Sequence, residues 1–382
     1  MTESHRGTPG PRPGGPRPVV VTGMAATSAF GRGTGPLVEA ALAGTPGFAP
    51  VRRFNVDQRR VTVAATMPGS PVLREELVAA VDEACDAAGL AGEERTGTRL
   101  LLAVHDGDPA VPGGSPEAFA TDVAAACGLA TDVRSYPSAC VAASTAVADA
   151  AAMVRLGQAA RVGVAAGYLV DPEQFALFDA GRAMARDGQV RPFSRYRTGL
   201  LLGDGVAAVV VEATGAPRRR DAPVQARMVG WGRAGDAYHV CQPRPDGAGL
   251  ARAIDAALDR AGLNADEVGY VNAHGSGTSQ GDVAEASALY RALGQYAAKV
   301  PVSSTKAVHG QALEASGLLE LIVTIVALRS GWLPVNAGFL GPDQSCPLEL
   351  IVDEPREDSP TYALSLNSAF GGANTALLVG TP

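Results

Sequence analysis

The feature that most constrains this chain is a regular alternation of short β-branched runs with alanine-rich stretches of helical length. Such alternation is typical of layered α/β folds, because successive strands and helices pack as separate layers around a core. The strand candidates are 19–23, 101–105, 161–167, 206–212, 269–274, 301–305, 362–366 and 375–380. The helix candidates are 74–88, 116–127, 141–156, 250–261, 283–293 and 312–329.

Two parts of the chain repeat each other at a nearly constant spacing. The matching pairs are 81–90 with 254–263 (offset 173), 101–107 with 270–276 (offset 169), and Cys140 with Gln311 (offset 171). Three offsets this close indicate a duplicated unit, although alanine-rich helices also produce such matches by chance.

The segment 214–225 carries prolines and a basic cluster, which is typical of a joint between two units. We therefore expect an N-terminal half at 18–214 and a C-terminal half at 225–382. Residues 1–17 are a low-complexity run rich in Pro, Gly and Arg, and they predict a disordered tail.

The composition argues against nucleic acid as the main partner. The chain has 39 acidic and 32 basic residues, a net charge of −7, only 5% aromatic residues and no long basic block. Hydrophobic residues make up 46%, which is enough for a large core. Only two bases are lysines, Lys299 and Lys306, so the position of either is informative.

Neither the cysteines nor the histidines show the spacing of a metal site or a disulfide framework. The cysteines are 85, 127, 140, 241 and 346, and the histidines are 5, 105, 239, 274 and 309. We therefore expect no metal and no bound cofactor.

No apolar run reaches the length of a membrane span, and the N-terminal run lacks the apolar core of a signal peptide. These features favour a cytoplasmic enzyme with no membrane partner.

The most informative stretch is 135–144, where a turn of small residues presents Cys140 at the start of an apolar helix. The N–H groups and dipole at a helix start favour a thiolate and can stabilise an oxyanion. The alternative for any lone cysteine is a small buried side chain, and this alternative is favoured for Cys85 and Cys127 within apolar helices.

Three further stretches carry candidate site residues. His274 ends a strand candidate and precedes a Gly-Ser-Gly-Thr loop, an arrangement that holds an imidazole at an open sheet edge. Lys306 lies in a loop between a strand and a long apolar helix, and 367–374 forms a glycine-rich turn between two strands. By contrast, 230–235 matches Gly-x-Gly-x-x-Gly, but its tryptophan and the lack of a following helix argue against nucleotide binding.

Together, these motifs resemble the β-ketoacyl synthases of the thiolase-like condensing enzymes. Cys140 matches the family nucleophile in its Ala-Cys turn, and His274 matches the first catalytic histidine of a His-Gly-Thr-Gly-Thr loop. Lys306 matches the lysine of Ser-Thr-Lys, and Phe370 matches the phenylalanine of a Phe-Gly-Gly-x-Asn gating loop. The resemblance extends over 19–380, and it implies a thiolase-like layered αβαβα fold built from two duplicated halves.

The resemblance also implies a reaction. Cys140 would accept an acyl group from an acyl carrier protein thioester, and the enolate of a malonyl thioester would then attack that group. The N–H groups of Cys140 and Phe370 would hold the acyl oxyanion, while His274 and Gln311 would hold the malonyl thioester oxygen. The resemblance further implies a homodimer, or a heterodimer with a ketosynthase-like subunit.

Three supporting residues follow from the same resemblance. Asp282 and Glu285 complete the His274 motif, and Lys306 would act on the site through its charge, with Glu285 as its candidate partner.

Three features depart from the family pattern. The family places a second catalytic histidine where this chain has Gln311, and the nearby His309 is two residues too early, so we expect it to be structural. The stretch between His105 and Cys140 is shorter than usual, and the gating loop reads Ser-Ala-Phe in place of Phe-Gly-Phe. Glutamine keeps a hydrogen-bond donor but loses the ionisable ring.

Three functions are compatible with this set of residues. The favoured one is a condensing enzyme that elongates with malonyl units in polyketide or fatty-acid-type biosynthesis, using Cys140, His274 and Gln311. The second is an acyltransferase or cyclase that keeps the acylation step alone. The third is a partner subunit like a chain-length factor, which the retained Cys140 argues against because such subunits usually lose it.

Overall fold

The computed structural model describes residues 17–107, 113–217 and 220–382, which form ten α-helices and sixteen β-strands. The strands are β1 (Val19–Ser28), β2 (Gly31–Arg32), β3 (Ala49–Pro50), β4 (Val63–Ala64), β5 (Arg99–Ala103), β6 (Ala130–Ser135), β7 (Arg161–Tyr168), β8 (Gly205–Ala213), β9 (Ala226–Gly235), β10 (Tyr270–Asn272), β11 (Pro301–Ser303), β12 (Trp332–Leu333), β13 (Glu349–Leu350), β14 (Arg356–Glu357), β15 (Tyr362–Ser368) and β16 (Ala373–Gly380). The helices are α1 (Thr34–Ala43), α2 (Leu73–Ala87), α3 (Gly92–Thr96), α4 (Pro116–Ala126), α5 (Ala142–Arg155), α6 (Pro172–Ala180), α7 (Ala248–Ala261), α8 (Ser279–Leu293), α9 (Lys306–His309) and α10 (Ser316–Ser330).

One continuous 12-stranded sheet runs through both halves of the chain. From the middle outward, the N-terminal half contributes β1-β8-β7-β5-β6, with the short β2 paired to β1. The C-terminal half contributes β9-β16-β15-β10-β11-β13. The halves join where β1 pairs antiparallel with β9 over Val19–Val21.

The two half-sheets repeat the same pattern of strand directions. In each, the first two pairings from the middle are antiparallel and the next two are parallel. Strands β5 and β10 begin at Arg99 and Tyr270, and β6 and β11 begin at Ala130 and Pro301, so both pairs are 171 residues apart. This repeat confirms the expected fold of two duplicated halves.

Three layers of helices alternate with the two half-sheets, which gives five layers in all. Helices α2 and α4 cover one face of the N-terminal half-sheet, and α7 and α8 cover one face of the C-terminal half-sheet. Helices α5 and α10 fill the middle and pack against each other, with α10 buried along almost its whole length. A helix apolar on all sides belongs inside a fold, and here it forms the central layer.

All six predicted helices and all eight predicted strands are present. Four helices and eight strands were not predicted, and the longest of them are β6, β9, α1 and α6. Strand β9 contains the Gly-x-Gly-x-x-Gly match. A Cβ atom on Gly232 would lie 1.8 Å from the Ala253 carbonyl oxygen of α7, and one on Gly230 would lie 2.1 Å from that of Ala257. These glycines therefore let strand and helix approach closely.

The predicted tail lies outside the described residues except for Arg17, whose N–H donates to the Arg155 carbonyl. The predicted boundaries of the two halves stay a prediction. No helix in the described part of the chain has both the length and the apolar character needed to cross a bilayer.

Candidate active site

The candidate residues follow the carboxyl ends of parallel strands. Cys140 follows β6, His274 follows β10, Lys306 follows β11, and Phe370 lies in the turn after β15. In open α/β sheets, the loops that follow the parallel strands meet at the edge formed by the carboxyl ends of those strands. Ligands bind in the crevice between these loops. The duplication brings the corresponding edges of the two half-sheets together, since Gln311 of one half contacts Cys140 of the other.

Cys140 lies in a 3-10 turn, Ala139–Val141, that leads directly into α5. The preceding Ala139 has a φ of 51°, a left-handed conformation that costs energy for any residue with a side chain. The Cys140 side chain is buried, and burial, reinforced by the charge of Glu314, raises the pKa of its thiol to about 12. Lys306 and Gln311 act in the opposite direction and favour the thiolate.

Gln311 donates a hydrogen bond from Nε2 to the Cys140 sulfur at 2.7 Å. Its Oε1 accepts a hydrogen bond of 3.1 Å from the Ser316 hydroxyl, which in turn accepts the Ala312 N–H at 2.9 Å. Because Ser316 holds the amide oxygen, the NH₂ group points at the sulfur. The Gln311 backbone is fixed as well, since its N–H donates to the Leu201 carbonyl.

Lys306 is completely buried and forms an ion pair with Glu320 of α10, with 2.5 Å between Nζ and Oε1. Asn367 donates to the second Glu320 oxygen at 2.6 Å and accepts a hydrogen bond from Ser144. The expectation that Glu285 pairs with Lys306 is therefore wrong. The Lys306 charge nevertheless reaches the site, because it lowers the pKa values of both Cys140 and His274.

Glu285 and Asp282 instead hold the loop after His274. Glu285 accepts the backbone N–H groups of His274 and Gly275, both at 2.7 Å. Asp282 accepts the N–H of Gly277 at 3.1 Å and the N–H of the buried Phe193 at 2.7 Å. Burial raises the pKa of both carboxyl groups to about 7. Their role here is to fix the loop that presents the imidazole.

His274 is a neutral imidazole in this environment. Burial, followed by the charge of Lys306, lowers its pKa well below the ordinary value. Its Nδ1 has no hydrogen-bond partner among the described residues. A neutral ring with an unpartnered nitrogen can donate a hydrogen bond to an oxygen of a bound substrate.

Among the described residues, the His309 side chain forms no hydrogen bond with Cys140, His274 or Gln311. It is fully buried in α9, where its Nε2 lies 2.9 Å from the Thr305 hydroxyl. Burial lowers the pKa of its ring to about 3. These contacts support the structural role that its position in the sequence predicts.

Phe370 lies at the surface, in the turn of the β15–β16 hairpin. Its side chain is 55% exposed and stacks on Phe178, with 5.8 Å between the ring centroids. Phe178 belongs to the same buried cluster as Cys140, which connects the turn that carries Phe370 to the hydrophobic surroundings of the nucleophile.

Three polar residues near the nucleophile were not predicted. Glu320 and Ser316 lie on α10, where the sequence pattern shows only an apolar helix, and Glu314 precedes that helix. A charged residue inside an otherwise apolar helix is the signal that could have identified Glu320. Nothing in the spacing indicates that Ser316 orients Gln311.

A cysteine at the start of a central helix, in a duplicated layered fold, places the chain among the thiolase-like condensing enzymes. Family models agree with this class: residues 86–215 match the N-terminal domain of β-ketoacyl synthases, and residues 225–340 match their C-terminal domain. The chain belongs to the β-ketoacyl synthase family, whose members are condensing enzymes of the acyltransferase type. The predicted family is confirmed.

Named relatives agree with this assignment. Nodulation protein E of Rhizobium meliloti is 31% identical over 94% of this chain and 98% of its own length. The ketoacyl synthase alpha subunit of the tetracenomycin polyketide synthase of Streptomyces glaucescens is 37% identical over 70% of this chain, a match that spans 64% of that subunit. Among solved structures, the ishigamide ketosynthase/chain length factor has a TM-score of 0.88 at 25% identity, covering 96% of this chain and 100% of that chain.

Proposed function

We propose that this chain is a β-ketoacyl-[acyl carrier protein] synthase that is acylated on Cys140 and elongates the acyl group with a malonyl thioester. The observation that carries the proposal is the 2.7 Å hydrogen bond from the Gln311 amide to the Cys140 sulfur. It puts a neutral donor at the nucleophile in a chain whose family condenses thioesters. No metal or bound cofactor takes part in these steps.

The first half-reaction is acyl transfer. The Cys140 sulfur attacks the carbonyl carbon of the acyl thioester, and the carrier thiol leaves. The N–H groups at the start of α5 and in the gating turn at Phe370 stabilise the oxyanion that forms on the carbonyl oxygen. Lys306 assists because its positive charge favours the thiolate.

The second half-reaction is decarboxylative condensation. Loss of CO₂ from the malonyl thioester places negative charge on the thioester oxygen, and neutral donors near that oxygen stabilise the enolate. His274 and Gln311 supply such donors, and neither needs to lose a proton. The enolate carbon then attacks the acyl carbonyl, and the Cys140 thiolate leaves.

The partners follow from the same proposal. Acyl and malonyl groups reach the site on an acyl carrier protein, and the chain pairs with itself or with a ketosynthase-like subunit. The names of the relatives include a polyketide synthase alpha subunit, a ketosynthase/chain length factor and 3-oxoacyl-[acyl-carrier-protein] synthases, so the proposal covers both polyketide and fatty-acid-type biosynthesis. Five free cysteines fit a reducing, cytoplasmic location.

A second candidate is an acyltransferase that loads Cys140 without elongation. The observation that favours it is again Gln311, because an amide already bound to the sulfur is placed to assist acylation, while its reach to the malonyl oxygen depends on substrate binding.

One experiment separates these functions. Wild-type protein is acylated with an acyl-carrier-protein thioester and then mixed with malonyl carrier protein, while CO₂ release and product mass are followed. We expect CO₂ and a β-ketoacyl product longer by two carbons. Acylation without CO₂ release identifies the acyltransferase, and no acylation leaves the partner-subunit function.

A further inference from the structure

The Gln311 amide could face Cys140 with either of its ends, because the amide oxygen and nitrogen are nearly the same size. The two ends have opposite chemistry. The NH₂ group donates to a thiolate or an oxyanion, whereas the amide oxygen only accepts hydrogen bonds and repels negative charge. Nε2 is the atom that contacts the sulfur, at 2.7 Å. The group that selects this orientation therefore controls how the site treats negative charge.

The Ser316 hydroxyl has one proton and, among the described residues, one acceptor for it. The hydroxyl oxygen accepts the Ala312 N–H at 2.9 Å and lies 3.1 Å from Oε1 of Gln311. Because a backbone N–H only donates, the hydroxyl proton is left to donate to the amide oxygen. If the amide were reversed, its NH₂ group would face the hydroxyl, and the proton of this completely buried serine would lose its acceptor. An unmade hydrogen bond inside a protein is unfavourable, so Ser316 opposes the reversal.

The chain between Gln311 and Ser316 brings the hydroxyl to the amide. Leu313 is buried and has a φ of 38°, a left-handed conformation that is unfavourable for a residue with a side chain. It begins the 3-10 turn Leu313–Ala315, and α10 starts directly after that turn, at Ser316. The Gln311 carbonyl accepts the Gly203 N–H, so the other end of the segment is fixed as well. Backbone strain of this kind persists only where the surrounding structure enforces it, and it clusters at active sites.

We propose that Ser316 is a positioning residue whose hydroxyl proton keeps the NH₂ end of the Gln311 amide directed at the reacting groups. This role rests on the proposed functions of Cys140 and Gln311. Before acylation, the NH₂ group stabilises the Cys140 thiolate. After acylation the sulfur carries no charge, and the same group donates to the malonyl thioester oxygen as CO₂ leaves. A reversed amide would place an oxygen against negative charge in both steps.

Ser316→Ala removes the hydroxyl proton and leaves the amide free to turn its oxygen toward Cys140. The readout is alkylation of Cys140 by iodoacetamide at pH 7, followed by peptide mapping, because the thiolate is the form that reacts. We expect Ser316→Ala to alkylate about tenfold more slowly than the wild type, which corresponds to a tenfold smaller fraction of thiolate. A rate equal to that of the wild type overturns the proposal.

A double-mutant cycle with Gln311→Ala separates positioning from a purely structural role. In the Gln311→Ala background there is no amide to orient, so adding Ser316→Ala should change the alkylation rate by less than about twofold. Loss of the hydrogen bond from the Ala312 N–H would instead weaken the start of α10 in both backgrounds alike. Equal factors in the two backgrounds therefore overturn the proposal.

Three further variants control for folding, and thermal unfolding is measured for each. Ser316→Thr keeps the hydroxyl and should restore most of the rate that Ser316→Ala loses. Thr324→Val removes a buried hydroxyl further along α10 that donates to the Glu320 carbonyl, and it should alkylate like the wild type. If Ser316→Ala does not fold, Ser316→Cys replaces it and should also slow alkylation, because a thiol is a weaker donor. A folded Ser316→Thr without rescue, or an equal loss in Thr324→Val, contradicts the positioning role.

CO₂ release distinguishes a failure of this inference from a failure of the proposed function. Alkylation needs neither carrier protein nor malonyl thioester, so coupling between Ser316 and Gln311 in a protein that never releases CO₂ contradicts the proposed function alone. In a wild type that condenses, Ser316→Ala should reduce CO₂ release about tenfold or more, because the donor to the malonyl oxygen is misdirected. Undiminished CO₂ release by Ser316→Ala overturns the positioning role.

Discussion

At the scale of single residues, Gln311 is held at both ends of its amide. The Ser316 hydroxyl binds its oxygen and the Cys140 sulfur accepts from its nitrogen, so the side chain has one preferred orientation. An amide held in this way is a preorganised donor, and preorganised donors stabilise developing charge without reorganisation.

Replacing Gln311 by alanine should therefore separate the two half-reactions. We expect Gln311→Ala to reduce malonyl decarboxylation by about 10²-fold or more, because an oxyanion donor is lost, while Cys140 acylation stays nearly intact. Gln311→His restores the family residue and should support or raise condensation. Radiolabelled CO₂ release and intact mass report the two steps, and equal losses in both would contradict the assignment of Gln311 to the malonyl oxygen.

His309 provides a prediction about pH. The unfolded ring binds a proton near its ordinary pKa of 6.5, whereas the folded ring does so only near 3. The neutral buried ring therefore stabilises the fold above about pH 6.5, and this contribution is lost as the pH falls toward 3. Between about pH 3 and pH 6.5, this one ring makes the free energy of unfolding rise with pH by up to about 1.4 kcal/mol per pH unit. In urea unfolding measured across this range, His309→Gln should lose that part of the pH dependence.

The same variant is a control for catalysis. CO₂ release by His309→Gln should match the wild type. If it is abolished while Gln311→Ala retains CO₂ release, the second donor has been placed on the wrong residue.

The sequence was most informative about residues in contiguous motifs. Cys140, His274 and Lys306 stand in short patterns whose chemistry is local, so they were predicted. The partner of Lys306 was not, because Glu320 is fourteen residues further on and reaches the lysine only through the packing of α10 against the sheet. Contacts of this kind depend on tertiary structure, which spacing in the sequence does not encode.

At the scale of elements, apolar strands and alanine-rich helices were predictable because their patterns match their burial. Strand β9 was missed because glycines replace the β-branched residues that usually indicate a strand. Strand β6 was missed because it lies at the sheet edge and its residues are polar and partly exposed. In both cases packing against neighbours outweighs local propensity.

The glycines of β9 lead to a test of packing. Gly232→Ala would place a Cβ atom 1.8 Å from the Ala253 carbonyl oxygen, so β9 or α7 must shift. We expect the free energy of unfolding to fall by about 1–3 kcal/mol or more, measured by urea denaturation. Gly235→Ala, at the open end of the same strand, is the matched control and should change little. Equal effects of the two variants would contradict the close-approach explanation.

At the scale of the whole molecule, β6 forms one end of the 12-stranded sheet. An edge strand is a ready surface for pairing with another chain, and β6 lies within the stretch between His105 and Cys140 that we expect to be shorter than in the family. We expect a dimer, either of this chain or with a homologous ketosynthase-like chain. Size-exclusion chromatography with light scattering, alone and after co-expression, measures it, and a monomer under both conditions would refute the expectation.

The central claim is that Cys140 is the acylated nucleophile, and the most direct test is to locate the acyl group. The protein is incubated with an acyl-carrier-protein thioester, and intact mass and peptide mapping are compared between wild type and Cys140→Ala. The account predicts one acyl adduct, on the peptide that contains Cys140, and none in the variant. An adduct on Cys85 or Cys346, or no adduct with any acyl chain tried, would contradict it.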